Sequence, residues 1–375
     1  MRKIRLYLLA ILTLLGIFGL ATAESPGESK ANPLLKEGIL RVAVVGDTGI
    51  GERAFHWGFI AVQRAIRNQK PDVLLHLGDF VYQPEFKPKI CPDRYIREIE
   101  ETLVKPYPFR LFVPGDNDLP PKISKPKASG CWSKIDPLDT PFDILADSDK
   151  GPAPFEGTKI IGNTFFAILN TYPWQDPTDW LAPRIKEAKK QGLWIIVALH
   201  EPPITTAWYL DKRYTVLKQV NKLKPDLVFS GNQHSYERFH QLKVPKRKKK
   251  LPFNKSKPAS RYQRGKGTIH IISGGGGALI KPFGDQQGKK RHTAPKDVLK
   301  ALAKRGLMNH FVLLDISDQT LKGTIYRVCP GKSPAGKPDD PRWRRKNERM
   351  WEGISLECES KPEGVTEFDH FEISR

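Results

Sequence analysis

The chain lacks the features that would assign it to several common roles. Beyond its first 23 residues, no apolar stretch approaches the roughly 20 residues a membrane helix needs, so no membrane-spanning helix is expected there. It has only four cysteines, with no CxxC pair and no Cys/His cluster, which excludes zinc held by thiolates. Acidic residues are in deficit, 41 against 62 lysines and arginines, a net charge of +21. Aromatics are sparse in the most basic stretch, residues 242–267, so the stacking platform that single-stranded nucleic acid requires is missing there. No internal repeat stands out.

The opening residues carry a signal. Arg2, Lys3 and Arg5 precede a largely apolar run from Leu6 to Leu20, and Ala21-Thr22-Ala23 forms a small-residue cleavage site. This reads as an export signal over 1–23; the run is short for the alternative, a membrane anchor. No cysteine follows the site, so no lipid anchor is expected there. Residues 24–37 read as a linker and 38–375 as a single domain. Removing Arg2, Lys3 and Arg5 with the signal lowers the net charge from +21 to +18, on a chain long enough for a large core.

An exported chain can keep disulfides. Cys91, Cys131, Cys329 and Cys358 allow three pairings, of which the neighbour pairing is favoured because it would staple two loop-rich insertions, the second spanning 329–360. The positive charge peaks at Lys246 to Lys250 inside the basic loop 242–267. That loop reads first as a solvated connection, and second as a docking patch for an anionic envelope surface or a polyanionic substrate. Asn254-Lys255-Ser256 fits the glycosylation acceptor pattern.

One event recurs along the chain. LRVAVVGDTG (40–49), PDVLLHLGDFVY (71–82), FRLFVPGDND (109–118), LWIIVALHEPP (193–203) and PDLVFSGNQH (225–234) are apolar runs that end on Asp47, Asp79, Asp116-Asn117, His200, and Asn232 with His234. Continuous apolar runs bounded by Gly and Pro predict strands covered on both faces. Between them, Phe55, Phe59, Val62 and Ile66, then Ile96, Ile99 and Leu103, then Leu181, Ile185 and Ala188, then Val216, Val220 and Leu223 fall at helical spacing. The alternation predicts a mainly parallel sheet with its ligand crevice beyond the carboxyl ends of the strands.

A lone Gly-Asp or His after a strand is commonplace. Five such endings together are not, and three carboxylates gathered in one place repel unless a cation joins them. Mixed Asp, Asn, His and Tyr donors suit hard to borderline divalent or trivalent ions.

These blocks resemble the calcineurin-like metallophosphoesterases, and within them the purple acid phosphatases, whose motifs run GDxG, GDxxY, GN[HD][ED], a strand-end His, and GHxHxYER. They stand here as Gly46–Gly49, Gly78–Tyr82, Gly115–Asp118, Ala198–His200 and Gly231–Arg238, in the family's order over roughly residues 38–328. The resemblance implies an α/β fold, a four-layer α/β/β/α sandwich of two mixed sheets flanked by helices. It places 267–277 and 310–328 in the second sheet and 368–375 as the closing strand. By the same resemblance Asp47, Asp79, Tyr82 and His234 would hold ferric iron, and Asp79, Asp116, His200 and Asn232 a divalent iron, zinc or manganese. The segments 83–108 and 119–160, rich in proline, are expected as lids, and 330–353 as a surface insertion.

Two positions depart from the family pattern. Asn232 replaces the first histidine of GHxH, and Asp116-Asn117 replaces an asparagine ligand followed by a catalytic histidine. An amide should hold zinc less well than imidazole does, while a carboxylate at 116 adds a negative charge that would offset the weaker ligand. Asn117 can donate a hydrogen bond but cannot deliver a proton.

The resemblance implies a secreted or periplasmic hydrolase of phosphoric esters, acid phosphatase-like and monoester-cleaving, that uses water activated by two metals. Asn117, His200 and His234 are the expected catalytic residues; Asn117, Tyr236, Arg238 and His56 are expected to meet a phosphorylated small-molecule or polyanionic substrate, and His56, Arg53 or another histidine could substitute for the missing general acid. A phosphodiesterase or nucleotide hydrolase on the same metals is the alternative within enzymes. A degenerate protein that binds metal or polyanion with little turnover is the alternative outside them.

Overall fold

Along the strand Leu40–Val45, Leu40, Val42 and Val44 face one way and Ala43 and Val45 the other, and all five are fully buried. A strand apolar on both faces needs cover on both, and the computed structural model supplies a second sheet on one side and helices on the other. It describes residues 38–51, 56–82, 91–120, 129–145, 155–207, 214–245, 251–256, 258–278, 280, 281, 283, 294–331, 358 and 363–375.

Seven strands form the first sheet. From edge to edge they are Arg261–Gln263, Gly364–Ser374, Thr320–Cys329, Asn309–Ile316, Leu40–Val45, Val73–His76 and Phe109–Phe112. The last three run parallel. Eight strands form the second sheet, in the order Leu302–Gly306, Tyr236–Phe239, Ile269–Ser273, Leu227–Ser230, Trp194–Leu199, Thr164–Leu169, Gly157–Ile161 and Ile144–Leu145. Its centre, from Ile269–Ser273 to Thr164–Leu169, is parallel.

The sheets meet through Val42, Val44, Leu75 and Val312 on one side and Ile196, Ala198, Phe229 and Ile271 on the other. Outside the first sheet, helix His56–Asn68 presents Phe59, Val62 and Ile66, and helix Asp93–Ile99, continued by a wider π turn over Glu100–Val104, adds Ile99 and Leu103. Outside the second, Thr178–Lys190 presents Leu181, Ile185 and Ala188, and Tyr214–Leu223 presents Val220 and Leu223. The layers are therefore α/β/β/α. Each apolar set lies on one stripe of its helix, the spacing that the sequence carries.

Four expectations need correcting. The five ligand-bearing strands do not share one sheet: three lie in the first and two in the second. Residues 309–329 pair antiparallel with Leu40–Val45 and with each other, so they extend the first sheet and not the second, as does the closing strand Gly364–Ser374. The described parts of 83–108 and 119–160 are packed structure rather than lids: Tyr95, Ile99, Leu103, Trp132 and Ile135 are buried in the core outside the first sheet. The basic loop is partly sheet. Gln241–Leu242 pairs with Phe253–Asn254, and Tyr262 is buried on a strand beside the chain end.

Both neighbour disulfides are formed, Cys91–Cys131 and Cys329–Cys358. The signal over 1–23, the linker, Lys246 to Lys250 and the segment 332–357 lie outside the described residues. Among those described, no helix is long and apolar enough to cross a membrane.

Candidate metal centre

Register brings the strand ends together. Val45 pairs with His76 and His76 with Phe112 in the first sheet, and Leu199 with Ser230 in the second, so all five runs finish at one edge of the sandwich. The chain then turns sharply. Asp47, Asp79 and Asn232 adopt left-handed backbone (φ 58, 58 and 62°), a conformation that Asp and Asn tolerate better than other side chains. Gly115 allows two of these turns to touch: a Cβ there would lie 2.1 Å from the Asp79 nitrogen and 2.3 Å from its Oδ1.

Two groups of donors result. In the first, Tyr82 Oη lies 3.1 Å from Asp47 Oδ1, 2.8 Å from Asp79 Oδ2 and 3.0 Å from His234 Nε2, while His234 Nε2 is 3.2 Å from Asp47 Oδ1. In the second, His200 Nε2 faces Asp79 Oδ1 at 3.4 Å and Asp116 Oδ1 at 3.5 Å. Within Asp47–Asp79–His234, and within Asp79–Asp116–His200, the ligand atoms all lie within 4.8 Å of one another. Asp79 belongs to both groups. Asp47, Asp79 and Asp116 come from the first sheet and both imidazoles from the second.

His200 provides a test of what fits. Its Nδ1–H donates to the Leu77 carbonyl at 2.6 Å, which leaves Nε2 as the atom facing the carboxylates. That nitrogen is buried and makes no hydrogen bond. Burial opposes charge on the ring, yet the field of Asp79, with Asp116 and Asp47, raises its pKa well above the imidazole range. A neutral imidazole aimed at two carboxylates is unfavourable; a cation between them satisfies all three. Three carboxylates, two imidazoles and a phenol fit hard to borderline metal ions.

Asn117 reaches the site in a role other than the expected one. Its backbone N–H donates to Asp79 Oδ1 at 2.8 Å, and its side-chain amide to Asp79 Oδ2 at 2.5 Å and Asp116 Oδ1 at 3.3 Å. It clamps the shared carboxylate. Asn232 is fixed through its main chain, its N–H donating to Asp47 Oδ2 at 2.8 Å.

Tyr236 and Arg238 do not come to the site. Tyr236 Oη donates to Asp369 Oδ2 at 2.8 Å, and Arg238 grips the same carboxylate through Nε at 2.8 Å and Nη2 at 3.0 Å, with both side chains buried. A guanidinium already paired in the core has no capacity left for a substrate. The side chain of His56 and all of Arg53 lie outside the described residues.

Asp118 is a site residue to which the sequence reading gives no role, although it fills the last position of the GN[HD][ED] block. Its carboxylate accepts the backbone N–H groups of Asp79 (2.7 Å), Phe80 (2.9 Å), Val81 (3.2 Å) and Gly115 (3.1 Å), fastening the second and third strand ends together. Burial and then the charge of Asp79 push it up to about 8, against the pull of those amides. The one available signal is position: it is the last acid of a polar block in which the family pattern gives roles to positions 116 and 117.

The comparisons agree with this geometry. Residues 40–236 match the sequence model of the calcineurin-like phosphoesterases, from the first ligand strand through His234. Mouse acid phosphatase type 7 is 26% identical over 272 residues, covering 65% of this chain and 56% of the mouse protein. The human protein of the same name is 26% identical over 275 residues, with the same coverage. The chain thus spans a little over half the length of these curated relatives. In fold it is similar to a purple acid phosphatase from yellow lupin seeds, with a TM-score of 0.56 at 17% identity, covering 90% of this chain and 54% of that one. With more than half of its residues inside the family match, and with both donor groups at the strand ends where that match runs, this chain belongs to the calcineurin-like phosphoesterases.

Proposed function

We propose that the chain is an exported phosphomonoesterase, acid phosphatase-like, that works with two metal ions. The observation that carries this reading is Asp79, a buried carboxylate common to two donor groups. Asp47, Asp79, Tyr82 and His234 would hold one ion, ferric iron on the family resemblance. Asp79, Asp116, His200 and Asn232 would hold a divalent iron, zinc or manganese. A pair of ions of this kind supplies Lewis acidity toward phosphoryl oxygens and lowers the pKa of water.

The chain's own residues orient that pair. Tyr82 and Asn117 fix the two oxygens of Asp79, and Leu77 fixes the ring of His200. Asp116 contributes the negative charge that the amide of Asn232 lacks. Asn117, committed to Asp79, holds no proton that a leaving group could take. Export rests on the pattern of residues 1–23, and an anionic partner on the basic stretch 242–267.

The test compares an aryl phosphate with its bis-aryl ester on protein reloaded with metal. Faster monoester cleavage is expected, and D79A should lose both ions and at least ~10²–10³ in turnover. Preference for the diester would favour the phosphodiesterase reading. Full turnover in D79A would remove the proposal.

A further inference from the structure

We propose that Lys281 is a positioning residue that holds the Asn232–His234 loop in ligating form, and through it both ions. The inference rests on the two-metal reading above. Residue 281 meets three successive residues of that loop. Its ammonium donates to the Asn232 carbonyl at 2.9 Å, its carbonyl accepts the Gln233 side-chain amide at 3.0 Å, and its backbone N–H donates to the His234 carbonyl at 3.1 Å. On the two-metal reading Asn232 would serve one ion and His234, a member of the first donor group, the other, so one residue spans the loop that would serve both.

The segment leading to Lys281 is tied to the other side of the centre. Gly276 N–H donates to the Gly46 carbonyl and Ala278 N–H to the Asp47 carbonyl, each at 2.9 Å. Residues 276 and 278 thus bond beside the first carboxylate and residue 281 bonds the histidine loop. Asn232 is fixed at both ends of its residue, with its N–H on Asp47 Oδ2 and its carbonyl on Lys281 Nζ. That grip holds it left-handed at φ 62°. An amide is a weak donor to a metal, and its contribution depends on orientation. The charge-assisted bond falls on the main-chain carbonyl of Asn232 and so fixes the backbone from which that amide projects. Among these three contacts of residue 281, only the ammonium bond depends on the side chain.

The experiment titrates chelator-stripped protein with Mn²⁺ alone by calorimetry, for wild type, K281M and K281R. Wild type is expected to take two ions. K281M should bind about 10–100-fold more weakly, as loss of an orienting partner does at metal sites, with the melting temperature of the stripped protein unchanged. K281R keeps a donor for the carbonyl and should recover most of the affinity. At saturating Mn²⁺, K281M should return to the wild-type KM for an aryl phosphate. Should K281M fail to fold, K281Q replaces it, with the same weakening expected. Wild-type affinity in a folded K281M or K281Q would overturn this inference and leave the phosphatase reading intact. So would a raised KM at saturating metal, which would make Lys281 a substrate contact. A wild-type protein that takes up no Mn²⁺, Zn²⁺ or iron would overturn both.

Discussion

Asn117 shows how one side chain can set the reach of the chemistry. Its amide lies on Asp79 at 2.5 Å, in the block where the family pattern has an imidazole. The shared carboxylate gains a clamp, and on the proposed reading a departing alcohol would gain no proton from it. General acid help is worth ~10²–10⁴ for poor leaving groups and little for phenolates. Turnover should therefore fall steeply from aryl to alkyl phosphates, by roughly that factor, in a series of esters graded by leaving-group pKa. A flat series would mean that another group delivers the proton. Glu237 makes a second prediction at this scale. It is buried, accepting Thr205 Oγ1–H at 2.5 Å and Thr206 N–H at 2.7 Å, and burial pushes it up to about 7. The unfolded value lies near ~4.3, so between the two the folded chain holds the extra proton. Its contribution to stability is complete below the lower value and is lost as pH rises through 7. E237Q should flatten that fall, by up to about 1.4 kcal/mol per pH unit, in urea denaturation between pH 5 and 8.

Among the elements, strand ends are easier to read than strand partners. The five apolar runs, their helices and the polar residue closing each run follow from local pattern, and the structure agrees with them apart from Phe55, which lies outside the described residues. Sheet membership does not follow. Leu40–Val45 and Trp194–Leu199 look alike as sequence, but they lie in different sheets because hydrogen-bond partners come from segments far along the chain, Asn309–Ile316 for one and Thr164–Leu169 for the other. Tyr236 and Arg238 mislead for a related reason. Their strand turns them toward Asp369, an acid 131 residues beyond Arg238 that no local pattern marks. Asp118 stands inside a quoted motif, but its task of accepting backbone amides cannot be read from that spacing. Gly115, by contrast, is testable at the element scale. G115A would drive a Cβ into the backbone of Asp79, and about 3 kcal/mol or more of destabilisation is expected in a denaturant melt. A methyl group added at Gly265 would meet nothing within 4 Å, so G265A should cost only the ~1–2 kcal/mol of its left-handed backbone.

For the molecule as a whole, the acids reach the centre from one sheet and the imidazoles from the other. The layers between are joined by interdigitating apolar side chains such as Val44, Leu75, Ile196 and Phe229, which resist separation better than sideways movement. Bound ions would behave as rivets through the two plates. Stripping them should lower the melting temperature, and an ion at a hundred times its dissociation constant should restore about 2.7 kcal/mol. The loss should appear as faster amide exchange at the ligand edge of both sheets together, not in one alone. Slip between the plates would then be what the ions oppose, and the catalytic centre would double as the fastener of its own fold.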